Sequence, residues 1–170
     1  MPDSGNIPYV GAGESNNSIQ SYISFDSNFI EKGNSIMIGG KTLVITYQEQ
    51  DYISNDSHNL ALYYHDIEMP NRNLQLFLVS ALYRSLKPKY HWGDSISKSK
   101  IKNDVLMLPI NKKGDIDYAF IDSLISAQSK LCIREILANK DLEISATEKV
   151  ISDSSYFNND EFDTIVELSK

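Results

Sequence analysis

Cysteine is almost absent from the 170 residues, and long apolar runs are missing altogether. Cys132 is the single cysteine, so no disulfide can form within the chain. Its place in an apolar helical pattern, beside Leu131 and Ile133, predicts a buried structural thiol rather than a nucleophile. No apolar stretch approaches the roughly eighteen residues of a membrane-spanning helix, and no charged-then-apolar leader opens the sequence. We therefore expect a cytoplasmic protein with no membrane partner.

Recognisable catalytic signatures are missing as well. The glycine pair Gly11 and Gly13 has no third glycine and no helical pattern after it, so it is not a dinucleotide fingerprint. The histidines His58, His65 and His91 have no ligand partner at a metal-binding spacing. The sequence therefore predicts a binding module rather than an enzyme, with no cofactor and no metal. A small enzyme with a site around the three histidines is an alternative.

Positive charge is scarce overall and concentrated in one stretch. The chain carries 16 Lys and Arg against 23 Asp and Glu, a net charge of −7. Between residues 84 and 102, Asp94 is the single acid among six basic residues. These are Arg84, Lys87, Lys89, Lys98, Lys100 and Lys102. Lys and Arg displace counterions from nucleic acid, and aromatic side chains can lie against sugars or bases. The stretch, which also holds Tyr90-His91-Trp92, therefore predicts a nucleic-acid contact; a solvated basic loop is the alternative.

The apolar pattern predicts short strands in the first part of the chain. Runs rich in β-branched and aromatic residues predict strands at 7–10, 20–24, 35–38, 42–47, 52–54, 60–64 and 105–110, the last of them buried. Between the strands at 60–64 and 105–110, apolar residues from Leu74 to Leu82 recur at the spacing of one helix face. Asn71 suits the cap of this helix, and Pro88 lies beyond its end.

A long helix is predicted from about residue 117 to 139, resuming to 151, with Asp115 or Asp117 as its cap. The first turns, marked by Phe120, Leu124, Ala127 and Leu131, are expected to dock onto the sheet, and residues 130–151 to pair with a partner helix. The predicted fold is α+β: a curved, mixed or largely antiparallel sheet of short strands with packed helices, followed by this helix. Three segments result: 5–115, 116–151 and an acidic, flexible tail at 152–170.

The order and spacing of several short motifs resemble those of a known family. This family is the target-recognition domain of the DNA specificity (S) subunit of type I restriction–modification systems, and of related combined restriction-and-methylation enzymes. The resemblance covers about residues 5–150. Its motifs include Ile7-Pro8-Tyr9-Val10, residues 32–40, Tyr90-x-Trp92-Gly93, Leu108-Pro109-Ile110 and Asp117-Tyr118-x-Phe120-Ile121. The sequence departs from the family at Asp94, where a basic residue is frequent, and at Ile96, where phenylalanine is common.

The resemblance implies a specificity module that performs no chemistry. Such a domain would enter the major groove of double-stranded DNA, read a short half-site, and direct an adenine methyltransferase partner to it, with or without a nuclease (restriction) partner. The long helix would act as a spacer that packs against partner helices. Two copies joined through this helix as a homodimer would read a palindromic split site. The chain would then be a half-length S subunit, half of a larger chain, or one domain of a fused enzyme.

Nine residues are predicted to contact DNA. Phosphate contacts position a protein on DNA, whereas side chains at the base edges specify sequence. Those predicted to hold phosphates are Arg84, Lys89, Lys98, Lys100 and Lys102. Those predicted to approach bases are Asn16, Asn17, Lys41 and Ser97.

Two further interpretations stand beside this assignment. Trp92 is predicted to pack in the core rather than to stack on DNA. The net charge and the acidic tail suggest another class of protein, an acidic DNA mimic or inhibitor that binds a nuclease or a methylase. The basic stretch at residues 84–102 speaks against the mimic.

Overall fold

The strands form two small three-stranded sheets. The computed structural model describes residues 5–24, 27–66 and 70–153. The order in the first sheet is β2 (Ile19–Ile23), β1 (Ile7–Val10) and β5 (Ile53–Ser54). The order in the second is β4 (Ile45–Gln48), β3 (Ser35–Ile38) and β6 (Leu60–Leu62).

The pairing within these sheets is mostly antiparallel. Strand β1 is antiparallel to β2, with an irregularity between Tyr9 and Val10, and it runs parallel to the short β5. Strand β3 is antiparallel to both of its neighbours. Together with the helices described below, this arrangement confirms the predicted α+β class.

The link between β3 and β4 is a tight turn with a close backbone neighbour. The amide of Gly39 donates to the carbonyl of Val44 at 2.8 Å, and the amide of Leu43 donates to the carbonyl of Gly39 at 2.9 Å. A Cβ atom at Gly40 would lie 2.2 Å from the carbonyl oxygen of His58. A larger residue than glycine therefore does not fit at position 40. Because the turn extends to Val44, β4 begins at Ile45, later than the predicted strand start at Thr42.

Helix α1 (Arg72–Leu86) supplies much of the core. Asn71 caps it as predicted, because its side-chain oxygen accepts from the amide of Leu74 at 2.9 Å. The helix buries leucines at the spacing of one face against Ile36, Ile38 and Ile45 of the second sheet. Burial of each such side chain stabilises the fold by about 1.5–3 kcal/mol. The leucines are Leu74, Leu78, Leu82 and Leu86.

The prediction of a buried strand at residues 105–110 is wrong. This segment makes no strand ladder within the described residues, apart from an isolated bridge between Ile110 and Ile116. Val105 and Met107 are 72% and 88% exposed, whereas Leu106 and Leu108 pack against the core. Alternate side chains thus face opposite ways, and composition alone did not reveal that one face is open.

Helix α2 (Lys98–Ile101) is a single turn, and α3 (Tyr118–Asp153) runs for 36 residues without the predicted interruption. Asp117 caps α3, because its carboxylate accepts from the amide of Phe120 at 2.9 Å. The residue of α3 that packs against the core lies one position after the start of the apolar stripe that was predicted to dock. Phe120 and Leu124 are exposed, and Ile121 is buried in the core instead. Beside it, Asn73 donates to Asp122 at 2.8 Å.

The chain divides into two units, residues 1–126 and 127–170. The predicted segment boundaries at 115 and 151 stay predictions.

In the second unit, the described side chains from Ala127 to Ser145 are exposed, and Cys132 is among them. The prediction of a buried thiol is therefore wrong, because an apolar pattern in sequence does not bury a side chain unless another segment packs against it. The predicted acidic tail from residue 154 onwards lies outside the described residues. Within the described ranges, no helix has the length and apolar character to cross a membrane.

Candidate nucleic-acid interface

Several of the predicted DNA-contact residues line two surface grooves in the first unit. The first, here called the aromatic groove, has a volume of about 590 Å³. The second, here called the lysine groove, has a volume of about 960 Å³. The aromatic groove is lined by Lys41, Tyr83, Lys87, Tyr90, His91 and Trp92, among others. The lysine groove is lined by His58, His65, Ser97, Lys98 and Lys102, among others.

The aromatic groove joins the C-terminal end of α1 to the link between β3 and β4. The ammonium group of Lys87 lies 4.6 Å from the centre of the Tyr83 ring and donates to the Tyr83 hydroxyl. Lys41 lines the groove from the β3–β4 link, and Glu14 is the one acidic residue among the described residues that line it. The groove therefore combines cationic tips with aromatic surface, a combination suited to a polyanion that carries apolar rings.

Trp92 lies at the tip of a tight turn in this groove. The amide of Asp94 donates to the carbonyl of His91 at 2.9 Å, and the amide of His91 donates back to the carbonyl of Asp94 at 3.3 Å. The amide of Gly93 donates to Nδ1 of His91 at 3.1 Å. Because these bonds close the turn, its central residues face outwards, and Trp92 is 73% exposed. The prediction that Trp92 packs in the core is wrong.

Lys100 is engaged by the same loop. Its ammonium group forms an ion pair with Asp94 and donates to the carbonyl of Ser95 at 2.9 Å. It also lies 5.9 Å from the centre of the Tyr90 ring. The hydrogen bond from Lys100 holds the pKa of the Asp94 carboxyl below its ordinary value. The phosphate contact predicted for Lys100 stays a prediction, and it would compete with these partners.

Lys89 also has a carboxylate partner, Asp104, at 2.7 Å. The Tyr90 hydroxyl donates to the other oxygen of this carboxylate at 2.7 Å. Burial pushes the pKa of Asp104 upwards, but the hydrogen bonds from Lys89 and Tyr90 hold it below its ordinary value. The same hydrogen bond, assisted by burial, raises the pKa of Tyr90 to about 12. Asp104 therefore offsets the positive charge of Lys89, as Asp94 offsets that of Lys100.

Four of the predicted cations have no such partner. Across residues 5–24, 27–66 and 70–153, the ion pairs do not include Arg84, Lys98, Lys102 or Lys41. All four are exposed. Exposed cations outside ion pairs can contact a phosphate without first breaking such a pair. Lys98 and Lys102 lie in the lysine groove, Lys41 lies in the aromatic groove, and Arg84 lies near the end of α1.

The three uncharged side chains predicted to approach bases all make hydrogen bonds within the fold. Ser97 caps α2, since its hydroxyl accepts from the amide of Lys100 at 3.4 Å. Asn16 and Asn17 have φ angles of 49° and 50°, a left-handed conformation that asparagine tolerates. The side chain of Asn16 donates to the carbonyl of Ile19, and that of Asn17 donates to the carbonyl of Tyr47. These bonds fix the loops, and the base contacts of the three side chains stay predictions.

Sequence reasoning left Tyr83 and Lys87 out of the predicted site. Both line the aromatic groove, and their spacing of four residues places them on one face of α1. That spacing was a usable signal, because an aromatic residue and a lysine four apart can form a cation–π pair on a helix. The approach of this helix end to the β3–β4 link depends on the tertiary fold and gives no local signal.

The histidines do not form one site. His58 and His65 line the lysine groove, whereas His91 lines the aromatic groove. His58 pairs with Asp56 at 2.7 Å. Glu31, also in the lysine groove, accepts from the Tyr63 hydroxyl at 2.8 Å, and burial together with this bond raises the pKa of Tyr63 to about 12. In the part of the chain that the structure describes, no three His, Cys, Asp or Glu residues are grouped as metal ligands.

Comparison with known proteins decides the family. A family model for the type I restriction modification DNA specificity domain matches residues 2–138. The chain belongs to this family. It is similar to the type II restriction enzyme BgcI specificity subunit S.BcgI of Heyndrickxia coagulans, with 28% identity over 121 residues. This match covers 69% of the chain and 34% of that relative, so the chain spans about a third of its length. No solved structure matches the chain significantly.

Membership of the specificity-domain family confirms the resemblance stated above. It supports a role in DNA sequence specificity within restriction–modification. Specificity subunits of such systems bind DNA and associate with methyltransferase subunits. The family gives no support to the DNA-mimic alternative.

Proposed function

We propose that the chain reads a short half-site in the major groove of double-stranded DNA and performs no chemistry itself. By binding there, it directs an adenine methyltransferase partner, with or without a nuclease, to the site. The observation that carries this proposal is the match of the specificity-domain model to residues 2–138, which include both sheets and the two grooves.

The arrangement of charge supports a DNA contact by the first unit. Lys98 and Lys102 are exposed, lack carboxylate partners among the described residues, and lie in one groove. Their role in the proposal is to hold phosphates, which fixes the position of the domain on the duplex. Arg84 adds a third exposed cation at the end of α1. Base reading is then left to polar side chains that reach the groove of the DNA.

The salt dependence of DNA binding tests the phosphate contacts. A double variant, Lys98→Gln with Lys102→Gln, is compared with a control, Lys112→Gln with Lys113→Gln, in an exposed turn. Each lost phosphate contact lowers the slope of log K against log salt by about 0.9. We expect the first variant to lose about two units of slope and to bind all duplexes more weakly to the same degree, whereas the control keeps the wild-type slope. An unchanged slope in the first variant would contradict the assignment.

Helix α3 is proposed to carry the protein partner. From residue 131 onwards it exposes large apolar side chains at 43% or more of their area. These are Leu131, Ile133, Ile136, Leu137, Leu142 and Ile144. Ile133, Leu137 and Ile144, at intervals of four and seven, share one helix face. In the proposal, this face pairs with a helix of the methyltransferase subunit or with a second copy of the chain as a homodimer.

Substitution of that face distinguishes the partners. Leu137→Gln with Ile144→Gln is compared with Gln128→Ala and Glu135→Gln on another face of the helix. We expect the first variant to lose co-purification with the methyltransferase subunit, to sediment as a monomer where the wild type is a dimer, or both. The control variant should behave as the wild type does. Retention of both associations in the first variant would refute the proposed role of this face.

A further inference from the structure

The turn that holds Trp92 is rigidly supported and yet leaves its largest side chain in solvent. Trp92 is the one tryptophan in the chain and is 73% exposed. Tryptophan is a large apolar side chain, and exposing it forgoes the stabilisation that burial would give. The backbone bonds between His91 and Asp94 fix its position, and Gly93 completes the turn. The exposure is therefore built into the turn rather than caused by a loose loop.

Lys100 supports this turn from outside. Its ammonium group binds Asp94 and the carbonyl of Ser95, two residues that directly follow the tip. Ser97 caps the helical turn that carries Lys100. Lys100 thus spans from α2 back to the turn, and it neutralises the one acid within the basic stretch. These contacts leave the surface around Trp92 without the negative charge that Asp94 would otherwise add.

The surroundings of Trp92 fit a polyanion with apolar parts. Lys41 and Lys87 line the same groove, and the Tyr83 ring lies beneath Lys87. In the described part of the chain, Glu14 is the one acidic residue that lines this groove. A DNA groove presents sugars, base edges and thymine methyl groups between two rows of phosphates. An aromatic side chain flanked by lysines is complementary to that surface in both charge and polarity.

We propose that Trp92 enters the groove of bound DNA and packs against sugars and base edges. Lys87 then contacts the adjacent phosphate, and Lys41 approaches the bases beside it. Lys100 is a positioning residue that holds the turn rather than a phosphate ligand. This inference rests on the proposed function, because it names the side chains with which the same domain binds the duplex.

The emission of Trp92 tests the inference directly, because the chain has no other tryptophan. The full chain is titrated at low salt with a labelled duplex pool of random sequence, and then with a duplex selected from that pool. Anisotropy of the label reports DNA binding, and quenching by acrylamide reports the accessibility of Trp92. We expect the quenching constant to fall at least about twofold as the DNA saturates the protein, because the indole becomes covered.

Two other outcomes of this titration separate the two proposals. Saturation with DNA while Trp92 stays as accessible as in the free protein would overturn the inference and leave the proposed function standing. Absence of DNA binding at low salt would contradict the proposed function and, with it, the inference.

Substitution of Trp92 gives an independent measurement that does not depend on fluorescence. We expect Trp92→Ala to weaken binding to the selected duplex about tenfold and Trp92→Phe to restore most of it, with the salt slope unchanged in both. An unchanged slope separates an apolar contact from an ionic one. Because the side chain is exposed, both variants should melt as the wild type does. Wild-type affinity in Trp92→Ala would overturn the inference.

The positioning role of Lys100 has its own readout. In free Lys100→Gln, the emission anisotropy of Trp92 should fall because the turn loses its support, and Lys100→Arg should restore it. The salt slope of DNA binding should stay at the wild-type value in Lys100→Gln. A slope lowered by about one unit with the Trp92 anisotropy unchanged would make Lys100 a phosphate ligand and would refute the positioning role.

Discussion

The ammonium group of Lys89 lies 2.7 Å from a carboxylate oxygen of Asp104. The Asp104 side chain is 11% exposed, and Tyr90 donates to its second oxygen. The pair ties the chain just after α1 to the segment just after α2. Lys89, which the charge of the basic stretch predicts to hold a phosphate, therefore already has a structural role. A DNA phosphate would have to compete with Asp104 for its ammonium group.

Replacement of Asp104 by Asn should have opposite effects on folding and on DNA binding. The free energy of unfolding should fall by about 1–2 kcal/mol. This is less than the loss of a fully buried charged hydrogen bond would cause, because Lys89 is half exposed. Lys89 becomes free for a phosphate, so the salt slope of DNA binding should steepen by about one unit. Urea unfolding and duplex titration measure the two effects, and Asp115→Asn, in an exposed turn, is the matched control. Equal stability of the two variants would contradict the structural role of the pair.

The turn around Trp92 should respond to acid through Asp94. The hydrogen bond from Lys100 holds the pKa of Asp94 below the roughly 3.9 of an unfolded aspartate. A lowered pKa means that the pair stabilises the folded turn at pH values above about 4 and that this contribution is lost as the pH falls through the folded pKa. We expect the emission anisotropy of Trp92 to fall over that range in the wild type.

Asp51 and Asp104 also have lowered pKa values, so their protonation weakens the fold in the same acidic range. The variant Asp94→Asn separates the contribution of Asp94 from theirs. At neutral pH its Trp92 anisotropy should already be low, and it should lack the acid step assigned to Asp94. The interpretation fails if the two proteins give the same curve of anisotropy against pH.

Gln75 is a buried polar residue whose loss should destabilise the core. Its side chain is 1% exposed, and its amide donates to the main-chain carbonyl of Asn34 at 2.7 Å. In Gln75→Leu this carbonyl loses its donor, and we expect a loss of about 1–3 kcal/mol although leucine is more apolar. Thermal or urea unfolding measures the change. The exposed Gln128 provides the control, since Gln128→Leu should leave stability nearly unchanged; a Gln75→Leu variant as stable as this control would refute the argument.

Local signals predicted the helices well. The cap residues Asn71 and Asp117 and the apolar spacing after Asn71 are properties of neighbouring residues, and the structure confirms both caps. Burial was harder to predict, because it depends on what packs against a segment. Cys132 and Val105 lie in apolar surroundings in sequence, yet both are exposed.

The candidate site was predictable only in part, for the same reason. The basic stretch identified the region that carries Lys98 and Lys102, two exposed lysines in one groove. The sequence could not show that Lys100 turns back onto Asp94, since that pair depends on the geometry of the turn. It also could not show that Lys87 and Lys41, distant in the chain, line one groove.

Sequencing of the adenines that are methylated when the chain is paired with its methyltransferase subunit tests the central claim most directly. The pair is expressed with the wild-type chain and with a chimera in which residues 7–110 come from a relative of different specificity. We predict a short split motif for the wild type and a changed half-site for the chimera, with methylation retained in both. An unchanged motif in the chimera, or a chain that blocks methylation of every sequence, would contradict a specificity role.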